Sequence, residues 1–328
     1  MSRNTDVPKL SNRLEIMIIK LSQPLSFMQQ GARDYQEDAR FPDSDQPSAS
    51  QRFFILCDGV GGSDHGEVAS STVCKAFVKK MPAVNDNTLF SNDDFSRVLD
   101  YAYDQLDNIG RKTRGDMATT LTFLCFHAGG AVMAHIGDSR IYQIRPQQGI
   151  IYRSDDHSLV NSMVHSGVIT PAQAENHPQS NVIIRCMEPV EERQNRSQAT
   201  LIRTDDIENN DYFFLCSDGV LENIDDDLLV GIIADMDISD EDKINRIKDL
   251  CRESDDNNTA MLVHVNEVVK SETETMVTEH QNEEAYDSSD SSTRRFDRQK
   301  REASEIESIQ KKKDNGFLSK IKRIFTGD

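Results

Sequence analysis

"FFILCDGVGG" at residues 53–62 and "FFLCSDGVLEN" at 213–223 follow one plan. In the first an apolar run ends directly at Asp-Gly, and in the second only Ser217 intervenes. Short runs of this kind, rich in aromatic and β-branched residues and bounded by turn residues, read as buried strands. A strand end is a rigid place to mount a ligand-binding side chain. The following glycine lets the backbone turn sharply and lets a carbonyl approach an ion. Either Asp-Gly taken alone is equally a hairpin dipeptide. Occurring twice, Asp58-Gly59 and Asp218-Gly219 read as two arms of one site.

Around these strands lie others: "LEIMIIKLS", "ATTLTFLCFH", "GAVMAHI", "SRIYQIR" and "TAMLVHV". Residues 66–81 and 94–112 have helical spacing. Val68, Val73, Phe77 and Val78 share a face in the first; Phe95, Val98, Leu99, Ala102 and Leu106 do so in the second. Asp225–Met236 and Asp240–Arg252 predict two more helices, whose acidic first turns suit the helix dipole. Several strands are adjacent without an intervening helix. That favours packed antiparallel layers of α+β type over a doubly wound sheet.

The 328 residues carry 56 acidic and 37 basic side chains, a net charge of −19. Such a balance excludes a dedicated nucleic-acid binder, which needs clustered Lys and Arg, and it suits divalent cations. The six cysteines, Cys57, Cys74, Cys125, Cys186, Cys216 and Cys251, form no C-x-x-C pair. They read as small buried residues in a reducing compartment. The apolar stretch 14–25 is interrupted by Glu15 and Lys20 and is too short to span a membrane. It predicts a first strand closing an N-terminal segment 1–21. No signal-peptide pattern is present, so a cytoplasmic protein is expected.

After Val265 the character changes. Residues 266–292 are net −7 and Ser/Thr-rich, the composition of a disordered linker. Residues 293–328 are net +5. There Phe317, Leu318, Ile321, Ile324 and Phe325 form one helical face, with Lys320, Lys322 and Arg323 around it. Such a helix docks on an anionic membrane at its inner face, on an acidic protein partner, or back on the acidic body.

Three more places change the reading of the Asp-Gly pairs. "GARDYQEDAR" (31–40) carries Arg33, Glu37 and Asp38; "AHIGDSRIY" (134–142) carries Asp138; "SDDNNTAMLV" (254–263) carries Asp256. Asp38, Asp58, Asp138, Asp218 and Asp256 all flank strand ends. Brought together, such carboxylates repel unless cations neutralise them. Oxygen-only ligands select a hard ion, Mg²⁺ or Mn²⁺. Two ions sharing Asp58 would hold an activated water as nucleophile. Arg33 reads as a phosphate clamp, since a guanidinium pairs with phosphate oxygens bidentately; the alternative is a surface salt bridge.

These motifs, with "CDGVGGSDHGEVAS", "SDDHSLV" and "GVITPAQAENHP", resemble in order those of the PP2C (PPM) metal-dependent protein phosphatases, most closely the compact bacterial members. The resemblance spans roughly residues 22–265. It implies an α-β-β-α sandwich of two antiparallel sheets flanked by helices, with a dinuclear site at one end. It implies Asp38 on the first metal, Asp58 bridging, a contribution from the Gly59 carbonyl, and Asp218 and Asp256 on the second metal. Glu37 falls in the outer shell, and Asp138 beside a third, weaker ion. The implied reaction is hydrolysis of phosphoserine and phosphothreonine in proteins, opposing a bacterial-type Ser/Thr kinase. Residues 157–190 resemble the flap beside the site.

The chain departs from the family pattern in three places. Val60 stands where animal members often have a histidine acid, Gln36 replaces a usual Asn, and Ala118 replaces a usual Gly. His65 and His157 are nearby histidines, and a lone histidine is more often structural. The alternative to an enzyme is a catalytically weak family member that binds phosphoproteins or works as a regulatory switch.

Overall fold

The structure is a computed structural model and describes residues 13–175 and 177–274. The amphipathic stretch 317–325, the basic tail and most of the acidic segment lie outside the described residues.

The apolar runs form strands buried on both sides. In β10 (Tyr212–Cys216), Phe213 and Leu215 point into the space between two sheets, while Tyr212, Phe214 and Cys216 face a helical layer. β4 (Phe53–Cys57) behaves the same way: Phe54 packs between the sheets, Ile55 and Cys57 under helices. A strand sandwiched between a sheet and a helix layer has no polar face, so the run of apolar residues is continuous.

One sheet has the order β1-β11-β10-β7-β8, where β1 is Arg13–Leu21, β11 Asn258–Glu274, β7 Arg140–Arg145 and β8 Gly149–Arg153. β2 (Leu25–Gln29) pairs with the first part of β11, and β1 with the rest. The second sheet runs β3-β4-β5-β6-β9, with β3 Ala39–Phe41, β5 Leu121–His127, β6 Gly130–Ile136 and β9 Thr200–Thr204. Every pairing is antiparallel. Edge-to-face packing of Phe126 on Phe213, ring centroids 5.1 Å apart, joins the sheets.

Helices cover both outer faces. α1 (Gly66–Lys80) and α2 (Asn92–Gly110) bury the second sheet; the short α5 (Asp218–Leu221), α6 (Asp226–Ile233) and α7 (Asp240–Leu250) bury the first. α3 (Leu159–His165) and α4 (Pro171–Glu175) lie in the stretch that resembles a flap. Side-chain oxygens of Ser91, Asp225 and Ser239 cap α2, α6 and α7, each satisfying a backbone N–H that has no partner inside its helix. The α-β-β-α sandwich expected from the sequence is the fold.

Two details differ from expectation. Val78 is 36% exposed rather than on the buried face of α1. It follows buried Phe77 by one residue, which turns it about 100° around the helix. The linker composition begins at 266, yet β11 continues to Glu274, pairing in register with Arg13–Lys20 of β1. Polar residues hold this edge: Lys20 Nζ lies 2.7 Å from Glu267 Oε2. Composition misses strands whose order comes from a distant partner rather than from buried side chains.

Candidate metal centre

Antiparallel pairing delivers the five aspartates to one end of the sandwich. β3 starts opposite the end of β4, β7 starts opposite the end of β10, and β11 starts beside that same end. Asp38 precedes β3, Asp58 follows β4, Asp138 lies between β6 and β7, Asp218 follows β10, and Asp256 precedes β11.

Hydroxyls set their positions. Asp38 Oδ2 accepts from Thr259 Oγ1 at 2.6 Å and Ser217 Oγ at 3.1 Å. The Asp58 carbonyl accepts from Thr119 Oγ1 at 2.8 Å, and its N–H donates to Thr120 Oγ1 at 3.0 Å. Thr120 Oγ1 meets Ser139 Oγ at 2.8 Å, tying β4 to the turn that carries Asp138. Asn257 is the staple of the Arg33 loop. Its Nδ2 donates to the carbonyls of Gln30 and Tyr35, and its Oδ1 accepts from the Glu37 N–H at 2.7 Å. Gln36 works in the same loop: its Oε1 accepts from the Asp38 N–H and its Nε2 donates to the Gln29 carbonyl.

Only glycine fits at the two turns. A Cβ on Gly59 would lie 2.6 Å from the Gly66 carbonyl carbon and 2.9 Å from Glu37 Cβ. One on Gly219 would lie 2.2 Å from the Asn257 oxygen.

The carboxylates perturb one another. Burial, followed by the repulsion of Asp218, Asp38 and Asp138, pushes Asp58 well above the usual carboxylate range. Burial raises Asp38 to about 7, against hydrogen bonds from Thr259 and Ser217. Burial, with Asp218 and Asp156 nearby, raises Asp138 to about 7. Asp218 is raised chiefly by burial, and its carboxyl is in hydrogen-bonding reach of Asp58. Glu37 is raised by burial and partly restored by Arg33.

The nearby cations are already engaged. Arg33 Nη2 lies 2.5 Å from Asp256 Oδ2, and Arg140 grips Asp156 through Nε and Nη2 at 2.7 and 2.6 Å. Among the described residues, no group of three or more Asp, Glu, His or Cys side chains is arranged to hold a metal ion as the side chains stand. Asp256 turns to Arg33, and Asp58 to Asp218. Even so, the donors fit hard divalent ions. Buried Asp38 Oδ1 and Asp138 Oδ1 have no hydrogen-bond partner. The donors are all oxygen, and the carboxylate charge lacks a committed counter-charge.

Neither candidate histidine faces this chemistry. His65 Nε2 lies 3.0 Å from the Arg114 carbonyl. His157 accepts from the Gly137 N–H, meets Thr200 Oγ1 at 2.9 Å and stacks on His135 at 4.5 Å. Burial and His135 hold His157 neutral, with a pKa lowered to about 3. The sequence reading gives the Asn after Asp256 a structural or outer-shell place, which Asn257 fills as the staple of the Arg33 loop; the supporting hydroxyls of Ser217, Thr259 and Ser139 escaped it. A hydroxyl beside an Asp at a strand end is the one signal that marks them.

The sequence profile of the family described as protein phosphatase 2C matches residues 34–262. The protein phosphatase PhpP of Streptococcus pneumoniae is 33% identical over 224 residues, covering 67% of this chain and 88% of PhpP. The crystal structure of the serine/threonine phosphatase Stp1 of Staphylococcus aureus superposes with a TM-score of 0.63 at 28% identity, over 76% of this chain and 97% of Stp1. The catalytic domain of the serine/threonine phosphatase PstP, in complex with two manganese ions, matches in fold with a TM-score of 0.58 at 23% identity, over 77% of this chain and 100% of that domain.

Proposed function

The chain belongs to the protein phosphatase 2C family, and from that membership we propose how its own residues divide the work. It is a protein serine/threonine phosphatase of a metal-dependent family. One observation carries the site assignment: Asp38, Asp58, Asp138, Asp218 and Asp256 stand at one end of the sandwich, with two buried oxygens lacking partners.

We assign Asp38 to one cation, Asp58 to a bridging position with the Gly59 carbonyl beside it, and Asp218 and Asp256 to a second cation. With cations bound, Glu37 would act from the outer shell and Asp138 would help hold a third, weaker ion. The cations, Mn²⁺ or Mg²⁺, supply charge neutralisation and an acidified water at neutral pH.

Arg33 binds the substrate phosphate. Asp256 engages one of its terminal nitrogens, which leaves further donors for phosphate oxygens; 40% of its side chain is exposed. Val60 offers no proton, and His65 and His157 are held within the fold. Protonation of the leaving Ser or Thr oxygen therefore falls to solvent. Thr119, Thr120 and Ser139 fix the backbone and loops on which the aspartates ride.

A bacterial-type Ser/Thr kinase supplies the phosphoproteins, and the cytoplasm is the compartment where both meet. Among the described residues, no helix is long and apolar enough to cross a membrane. Hydrolysis of a phosphothreonine peptide tests the reading, with Mn²⁺, with Mg²⁺ and with chelator. Cation-dependent release of phosphate is expected. Phosphopeptide binding without turnover would instead make the protein a binding module.

A further inference from the structure

A second charged surface lies away from the aspartates, between the two helices that cover the second sheet. There α1 and α2 form a groove of about 570 Å³. Lys75 and Lys79 line it from α1, Tyr101 from α2 and Lys112 from the turn just after α2; no lining residue is acidic. Lys79 and Lys80 place their ammonium groups 5.9 and 5.7 Å from the centre of the Tyr101 ring. A cation over a ring face is held there without being neutralised.

The chain as a whole carries a net charge of −19. Some basic residues of the body are committed to acids: Arg145 pairs with Asp206, Glu208 and Asp211, and Arg196 with Asp100, Asp104 and Asp107. Among the described residues, Lys75, Lys79, Lys80 and Lys112 form no ion pair. All four are exposed.

The groove is also aligned with the site. α1 opens at Gly66, where a Cβ would lie 2.9 Å from Glu37 Oε1. At 1.5 Å per residue, the groove starts at Thr72, about 9 Å along the helix, and reaches Lys79 at about 20 Å. An extended peptide advances about 3.3 Å per residue, so this span corresponds to some three to six residues of substrate.

We propose that the α1–α2 groove is a docking site for an acidic segment of the phosphorylated protein substrate, held by Lys75, Lys79 and Lys112 while the phosphoresidue sits at the aspartates. The substrate role rests on the phosphatase assignment; the binding of an acidic chain does not. A concave channel between two helices suits an extended anionic chain better than a flat bilayer.

The test uses the full-length protein and the triple variant Lys75→Glu, Lys79→Glu, Lys112→Glu, with the corresponding Gln variant as a milder control. Substrates are p-nitrophenyl phosphate, a neutral phosphothreonine peptide, and two acidic ones. The acidic peptides carry four Asp or Glu residues starting three positions from the phosphothreonine, on its N-terminal or C-terminal side.

Charge reversal should raise KM for one acidic peptide roughly tenfold, three exposed pairs each contributing roughly a factor of two. Its kcat, and turnover of the other three substrates, should stay unchanged, and the Gln variant should fall between. Added salt should erase the difference. Fluorescence anisotropy of an unphosphorylated acidic peptide should show the same tenfold weakening, whatever the outcome for catalysis. Equal KM and equal peptide binding in wild type and variant would overturn the proposal. So would lysine-dependent binding to phosphatidylglycerol vesicles with no effect on the peptides. Absence of turnover on every substrate, with the anisotropy difference intact, would count against the phosphatase reading and leave the docking site standing.

Discussion

Replacing Asp38 with asparagine separates what the aspartate cluster does for catalysis from what it costs the fold. Burial raises the Asp38 pKa from 3.8 to about 7. Well below pH 3.8 the carboxyl is protonated in both folded and unfolded chains and has no net effect. As pH rises past 3.8 the unfolded chain ionises while the folded site holds its proton. Folding stability therefore falls until about pH 7 and is level beyond. At roughly 1.36 kcal/mol per tenfold change in proton affinity, the loss is at most about 4 kcal/mol. Asparagine removes it and keeps an oxygen for Thr259 and Ser217, but sets an amide N–H where Oδ1 has no partner. An unpaired amide costs ~1–3 kcal/mol, so a net gain of about 2 kcal/mol is expected at pH 8. Urea unfolding in chelator at pH 5 and pH 8 measures it. The gain should shrink to under half at pH 5. Mn²⁺ should raise the wild-type midpoint more than that of Asp38→Asn, whose turnover should be lost. A variant less stable than wild type at pH 8 in chelator, or equally stabilised by Mn²⁺, would refute the reasoning.

Arg33→Ala should lower kcat/KM for a phosphopeptide by roughly 10- to 100-fold, the worth of a charged hydrogen bond, with Arg33→Lys recovering part of it in steady-state assays. Gly59→Ala must move the Gly66 backbone or Glu37. It should cost about 1–3 kcal/mol in thermal or urea unfolding and lower activity with it. Ending the chain at residue 275 should leave hydrolysis of p-nitrophenyl phosphate intact. Ending it at 265 removes the partner of β1 and uncovers Met17 and Ile19, at roughly 1.5–3 kcal/mol each, so the melting temperature should drop sharply.

The sandwich was legible because its central strands carry apolar residues on both faces and two of them, β4 and β10, run into Asp-Gly. The five aspartates were legible because each sits at a strand end, and antiparallel pairing brings those ends together. The supports were harder to see. Thr259 and Ser217 hold Asp38, and Asn257 staples a loop more than 200 positions away, contacts that only the folded chain creates. Gln36 looks like a neutral replacement in the sequence but fills two backbone hydrogen bonds. The end of β11 was misplaced because a polar edge strand resembles a linker by composition. The α1–α2 lysines are ordinary surface residues until helix packing places them around Tyr101.

Anomalous diffraction at the manganese edge, from crystals grown with Mn²⁺, tests the central claim most directly. Two strong peaks should appear at the shared strand ends, ringed by Asp38, Asp58, Asp218 and Asp256, with Asp58 between them. Peaks elsewhere on the protein, or none at saturating Mn²⁺, would contradict the account.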